Sequence, residues 1–146
     1  MQAKVINKDQ QETTYAVIFD TGDEFISGLT GFAEEHGLDA SGFKAIGAFQ
    51  HAKLGYFDIE KKDYKEIPVE GQVEVLSLVG DIALDDGHPK VHAHVVLGRS
   101  DGSTVGGHIL EATVRPTLEV VLTESPAHLR RKSDPDTGLA LIDLEE

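Results

Sequence analysis

One stretch of this chain has helical spacing, and it comes early. Residues 21–37, TGDEFISGLTGFAEEHG, place Phe25, Leu29, Phe32 and Ala33 at i, i+4, i+7 and i+8, which is one stripe of a helix. Thr21 or Asp23 can cap its start, acidic residues fall in its first turn, and Gly37 suits its end. A β-rich run at 13–20 precedes it. After it the pattern never clearly returns to helix. Runs of β-formers follow at 41–49, 51–59, 62–69, 71–84, 90–99, 103–114 and 117–124, with a last short strand in the tail 134–144. Turn residues separate them closely, DDGHP at 85–89 above all. Pro68 confines the 62–69 piece to an edge, and Gly80 is a site for a bend. A strand, one helix and then many short strands predict an α+β fold. Its sheet is curved and mostly antiparallel, a sandwich or partial barrel, with one main helix.

Composition narrows the class. At 146 residues the chain suits one domain, 1–146, and 40% hydrophobic residues separate it from disordered chains. There is no cysteine, which excludes disulfides, thiolate zinc sites and a Cys nucleophile. No apolar run is long enough for a membrane span and no signal peptide is evident, so a cytoplasmic protein is expected. Thirteen Lys and Arg against 26 Asp and Glu give a formal charge of −13. Nucleic-acid binding rests on cations that neutralise phosphates. The best basic patch is HLRRK, 128–132, which reads as a solvated tail beside the acidic SDPD.

Chemistry concentrates in KVHAHVVLGRSDGSTVGGHILEATV, residues 90–114, which holds His92, His94 and His108. Side chains alternate along a strand, so His92 and His94 share a face and Val91, Ala93, Val95 and Leu97 share the other. The place of His108 depends on the turn. A two-residue turn, Asp101-Gly102, pairs His94 with Ile109 and turns His108 into the core. A three-residue loop, Ser100-Asp101-Gly102, pairs His94 with His108 and brings all three histidines to one face. Apolar residues near the turn favour the second register. Beyond Ile109 the apolar phase slips by one, which puts Glu111 on the core face unless a bulge intervenes, and Gly106-Gly107 is the expected place for it. In this register three imidazoles can meet one divalent ion, with a fourth position open as in catalytic zinc. Nickel, iron, manganese or copper would also suit imidazole. Gly106 and Gly107 would leave space beside the site. The competing reading is three solvated histidines on a wet face.

Two acids stand among apolar neighbours. Glu74 in QVEVLSL and Glu119 in TLEVVLT are candidates for a fourth ligand, a partner to a ligating His or a general base, or else lie on wet strand faces. No Ser-His-Asp signature, P-loop or dinucleotide fingerprint is present.

The run GQVEVLSLVGDIALDDGHPKVHAHVVLGRSDGSTVGGHILEATVRPTLEVVL, supported by FKAIGAFQHAKLGYFD and the opening strand and helix, resembles the plant-and-prokaryote-conserved (PPC) domain family in its stand-alone prokaryotic form. The resemblance covers about 12–142. It implies an α+β homotrimer with metal-binding histidines at His92, His94 and His108. In plants the domain follows AT-hook segments that hold DNA. This chain has no such Arg-Gly-Arg-Pro hook. A more distant likeness runs to acetolactate decarboxylases, whose zinc chemistry implies carboxylates and an arginine near the metal. Glu74, Glu119 and Arg115 are candidates here by residue type. The expectations are thus a trimeric metal module with a small-molecule or protein partner, a metal-dependent lyase or hydrolase, or a DNA-associated regulator.

Overall fold

The computed structural model describes residues 1–9 and 11–144. Nine strands and one helix run in the order β1 (Gln2–Lys8), β2 (Thr13–Asp20), α1 (Phe25–His36), β3 (Ala40–Asp58), β4 (Asp63–Val69), β5 (Val73–Asp85), β6 (His88–Gly98), β7 (Thr104–Glu124), β8 (Arg130–Ser133) and β9 (Ala140–Asp143). The fold is α+β, and the curved sheet does not close into a regular barrel. All pairings are antiparallel except the single parallel contact of β5 with β8. β3 pairs with β5, β5 with β6, β6 with β7 and β7 with β3, a ring from which β1–β2, β4 and β8–β9 extend.

Two expected strand pairs are single strands. The runs at 41–49 and 51–59 join in β3, and those at 103–114 and 117–124 join in β7. Their breaks are absorbed as register shifts, at Gly47 to Phe49 and Phe49 to His51 on β3. The sequence predicts no strand at β1 or β8; β1 is exposed along its whole length, and β8 is the polar run Arg-Arg-Lys-Ser. Gly80 keeps its ladder place on β5, and its missing Cβ makes room for the Phe43 ring and the His92 carbonyl.

The helix forms where its stripe predicts, with Phe25, Leu29, Phe32 and Ala33 buried. Its cap is different from the expected one. Glu24, not Thr21 or Asp23, accepts from Ile26 and Ser27 N–H at 3.2 and 2.7 Å. No acid lies in the first turn. Asp23 instead accepts from Asp20 N–H at 2.9 Å. Glu24 also accepts from Ala112 N–H at 3.1 Å, so one carboxylate caps the helix and fixes it to β7. Burial pushes the Glu24 carboxyl up, but the hydrogen bonds from Ser27, Ala112 and Ile26 outweigh it, and it titrates below its ordinary value. Gly37 closes the helix at φ 63°, as expected.

α1 packs against β6 and β7. On this side Phe25 touches Phe19, Phe43 and Phe49, with centroids 5.7, 6.2 and 6.4 Å apart. Ala93, Val95 and Leu97 of β6 are buried with them. The opposite faces of β6 and β7 have no helix over them, and His92 and His94 stand there. Among the described residues no helix is long and apolar enough to cross a membrane.

Candidate metal centre

The β6–β7 turn sets the register on which the histidines depend. Arg99 N–H donates to the Ser103 carbonyl at 2.8 Å, and Gly102 N–H to the Arg99 carbonyl at 2.9 Å. Asp101 Oδ1 accepts from the Ser103 N–H and hydroxyl at 2.9 and 2.7 Å. Gly102 sits at φ 81°, where glycine is favoured. This is the three-residue loop, and His94 stands directly opposite His108. His92 lies two residues along β6 on the same face. One nitrogen from each ring lies within 4.8 Å of the others. The ring centroids are 5.1 Å apart for His92–His94 and His92–His108, and 5.5 Å for His94–His108.

The phase slip beyond Ile109 lies elsewhere than expected. The β6–β7 ladder is unbroken through Gly106 and Gly107. The shift is against β3, where Lys53 pairs with Glu111 but Leu54 with Ile109, which leaves Leu110 as the extra residue. Ile109 and Ala112 are therefore both buried. Glu111 turns outward and meets Lys53 Nζ at 3.1 Å, so the objection it raised to this register disappears. Nor do the two glycines leave open space. A Cβ on Gly106 would meet the Val95 carbonyl at 2.9 Å, and one on Gly107 the Gly55 carbonyl at 2.9 Å. They admit neighbouring strands rather than a ligand, although Gly107 also borders the cavity described next.

A cavity of about 740 Å³ opens beside the three histidines. Tyr64 of β4 walls it and stacks on His108 at 4.8 Å. Gly55 permits that stack, because a Cβ there would strike the Tyr64 ring. Burial, then His92 and His94, then Lys90 and Arg131, hold His108 well below its ordinary pKa, at about 4. His94 is lowered as well, by burial and then by His92. Both imidazoles are thus neutral near pH 7, the form that ligates metals. His108 Nδ1 is buried without a hydrogen-bond partner. Such a nitrogen is costly in an apo site, and a cation shared with His92 and His94 would fit this donor set.

Glu74, Glu119 and Arg115 do not line this cavity. All three are exposed: Glu74 on β5 opposite Gly98, Glu119 on β7 opposite Ile18 and Ile46, Arg115 before a cis proline. The charged groups beside the histidines are others. Asp81 of β5 pairs across the ladder with His92, and its Oδ2 lies 3.6 Å from His92 Nδ1. Its Oδ1 accepts from Arg131 Nη2. Burial pushes the Asp81 carboxyl up, but His92 and Arg131 outweigh it and the carboxylate form is favoured. Arg131, placed with HLRRK in a solvated tail, has a side chain only 6% exposed. A signal for Asp81 was present. DDGHP forms a two-residue turn with Asp86 and Gly87 at φ 49° and 81°. That turn pairs Asp85 with His88 and so Asp81 with His92. Nothing local announced Arg131.

Known proteins of similar fold share most of this architecture. A plant- and prokaryote-conserved (PPC) protein of Pyrococcus horikoshii is 35% identical, with a TM-score of 0.88 over 98% of this chain and 99% of that one. A metal-containing protein of Archaeoglobus fulgidus is 34% identical, with a TM-score of 0.83 over 97% and 96% of the two chains. A Bacteroides thetaiotaomicron protein for which DNA binding has been put forward is 27% identical, with a TM-score of 0.86 over 96% of each chain. A Staphylococcus aureus protein similar to alpha-acetolactate decarboxylase shares the fold alone, at 15% identity and a TM-score of 0.57 over 84% of this chain and 53% of that one. Among curated proteins, the bifunctional protein GlmU of Synechococcus is 30% identical over 129 residues, and the match spans 86% of this chain but 19% of that protein. The sequence pattern of the Plants and Prokaryotes Conserved (PCC) domain matches residues 6–126. The chain therefore belongs to the Plants and Prokaryotes Conserved domain family.

Proposed function

We propose that this chain is a homotrimeric, cytoplasmic metal-binding module. One divalent cation, zinc first among them, is held by His92, His94 and His108 and faces a cavity that takes a small-molecule or protein partner. The observation that carries this reading is the meeting of three imidazoles, one with an unpartnered buried nitrogen, at the edge of a cavity. The similar Archaeoglobus protein that contains metal supports it. Self-association is supported by Ile46, Leu76, Val79, Val96 and Val121, large apolar side chains left exposed on strands of the curved sheet. The lack of cysteine fits a reducing compartment.

When bound, zinc would supply a Lewis acid and an acidified water. The chain's own part is to keep His94 and His108 neutral, to back His92 with the Asp81 carboxylate and to wall the site with Tyr64. Metal content of protein purified without a nickel column tests the reading. About one equivalent is expected, lost in a His92→Ala/His94→Ala variant, with a solution mass of three chains. No bound metal in either protein overturns it.

A metal-dependent lyase or hydrolase is the second reading, favoured by the cavity beside a three-histidine set that leaves coordination positions open. Glu74, Glu119 and Arg115 give it no support, since none reaches the cavity. A metal enclosed by protein ligands on every side would exclude it. DNA association has the least support, with 26 acids against 13 cations. Absence of a gel shift at low salt would remove it.

A further inference from the structure

The cavity over the histidines has a wall that lies beyond the family match, which ends at residue 126. The β8–β9 hairpin follows, and its Arg131, Leu139, Ala140 and Leu141 border the cavity. Its ladder contact with the body is one position, Leu84 opposite Arg130. Leu84 N–H also donates to the Leu129 carbonyl at 2.8 Å, and Lys62 Nζ to the Pro135 carbonyl at 2.8 Å.

Arg131 makes a different kind of attachment. Its Nη1 donates to the Ala140 carbonyl at 3.0 Å, which ties β8 to β9. Its Nη2 donates to Asp81 Oδ1. The other oxygen of the same carboxylate faces His92 Nδ1 at 3.6 Å. One carboxylate on β5 is thus shared between a histidine of the cluster and the arginine that holds the hairpin together.

We infer that Asp81 and Arg131 are positioning residues of the metal centre, and that through Asp81 a metal on His92 and the docking of the β8–β9 hairpin over the cavity stabilise each other. This rests on the metal reading above. A metal-bound imidazole commonly gives its other N–H to a carboxylate, which fixes the ring and strengthens the ligand. Asp81 stands where it can accept that bond from His92, and Arg131 fixes the direction in which it points. Binding that firms the His92–Asp81 contact firms the Asp81–Arg131 contact with it. By linkage, a docked hairpin must then favour metal by the same factor that metal favours docking.

The test uses the whole chain, stripped of metal with a chelator and titrated with zinc against a chromophoric competitor. Hydrogen exchange of the backbone amides of residues 129–143 is followed with and without zinc. In the unaltered protein zinc is expected to slow exchange across the hairpin. Arg131→Met is expected to weaken zinc binding by about tenfold or more and to abolish the zinc-dependent protection. Asp81→Asn should do the same, Arg131→Lys should restore part of both, and Lys132→Met should change neither. Exchange in the amides of α1 reports whether each variant is folded. Should Arg131→Met misfold, Asp81→Asn and Arg131→Lys carry the test. Unchanged zinc affinity in the folded variants, or hairpin exchange indifferent to zinc, overturns this proposal and leaves the metal site standing. An unaltered protein that binds no zinc overturns the metal reading and this proposal together.

Discussion

β6 has two faces, and they are built to opposite rules. Toward α1 it gives Ala93, Val95 and Leu97, all buried among aromatic and aliphatic side chains. Away from α1 it gives His92 and His94, which meet His108 of β7 beside a cavity. The helix side is closed, and even the carboxylate at the helix cap, Glu24, is satisfied three times over by backbone N–H groups. Among the described residues, the buried side-chain nitrogens without a partner are His108 Nδ1 and Arg131 Nε, and both belong to residues that line the cavity. Local choices agree with one another in the core, and the unpartnered nitrogens lie at the cavity.

That contrast can be broken from either side. The largest effect is expected from Phe25→Ala on the closed face, where the ring is fully buried. Stability should fall by about 3–5 kcal/mol, read as the urea midpoint, while the folded fraction binds zinc as before. Loss of zinc per folded chain would show that the two faces are not independent. Gly107→Ala comes next. A Cβ there meets the Gly55 carbonyl at 2.9 Å and Leu54 Cβ at 3.3 Å. A cost of about 1–3 kcal/mol is expected, and because the clash adjoins His108, zinc affinity should fall as well.

Glu24→Gln should cost about 1–2 kcal/mol near neutral pH, from a weakened cap and a weakened bond to Ala112. Its pH dependence follows from the direction of the shift. The folded carboxyl titrates below its ordinary value. Its contribution is therefore complete above the unfolded value of about 4.3, and it is lost as pH falls through the folded value. Urea midpoints from pH 6 to pH 3 should fall more steeply in the unaltered protein and approach those of the variant in acid. The smallest change in stability should come from His94→Ala on the open face, under about 0.5 kcal/mol in the apo protein. If the metal proposal holds, the same variant should not bind zinc. A large loss of apo stability would mean that the histidines serve the core.

What the sequence disclosed divides along the same line. α1, its stripe and its Gly37 stop were legible because each rests on neighbours within four residues. The histidine register was legible from one turn, Ser100-Asp101-Gly102, since a hairpin fixes every pair behind it. The identical argument applied at Asp86-Gly87 finds Asp81 opposite His92. Arg131 was not legible. It reaches Asp81 across 50 positions of sequence, and a pair of arginines in a polar tail looks the same whether it is solvated or buried. Glu24 was missed for a similar reason: its worth as a cap depends partly on Ala112, 88 residues away. Glu74 and Glu119 lie on exposed strand faces, the alternative the sequence left open for them, since an acid between apolar neighbours on a strand is also what a one-sided sheet produces. The apolar slip in β7 was visible, but its partner strand was not, and so the bulge was assigned to the wrong neighbour.

That bulge carries a consequence of its own. β7 is one strand from Thr104 to Glu124, and Leu110 divides it into a stretch that presents His108 outward and a stretch that presents Ala112, Val114, Leu118 and Val120 inward. With two side-chain directions to a strand, the extra residue is one that the alternation skips over. Without Leu110, Ile109 and Glu111 would be neighbours, as their partners Leu54 and Lys53 are, and the histidine and the core residues would each keep the present face; one further residue inserted there, unmatched on β3, would turn one half over.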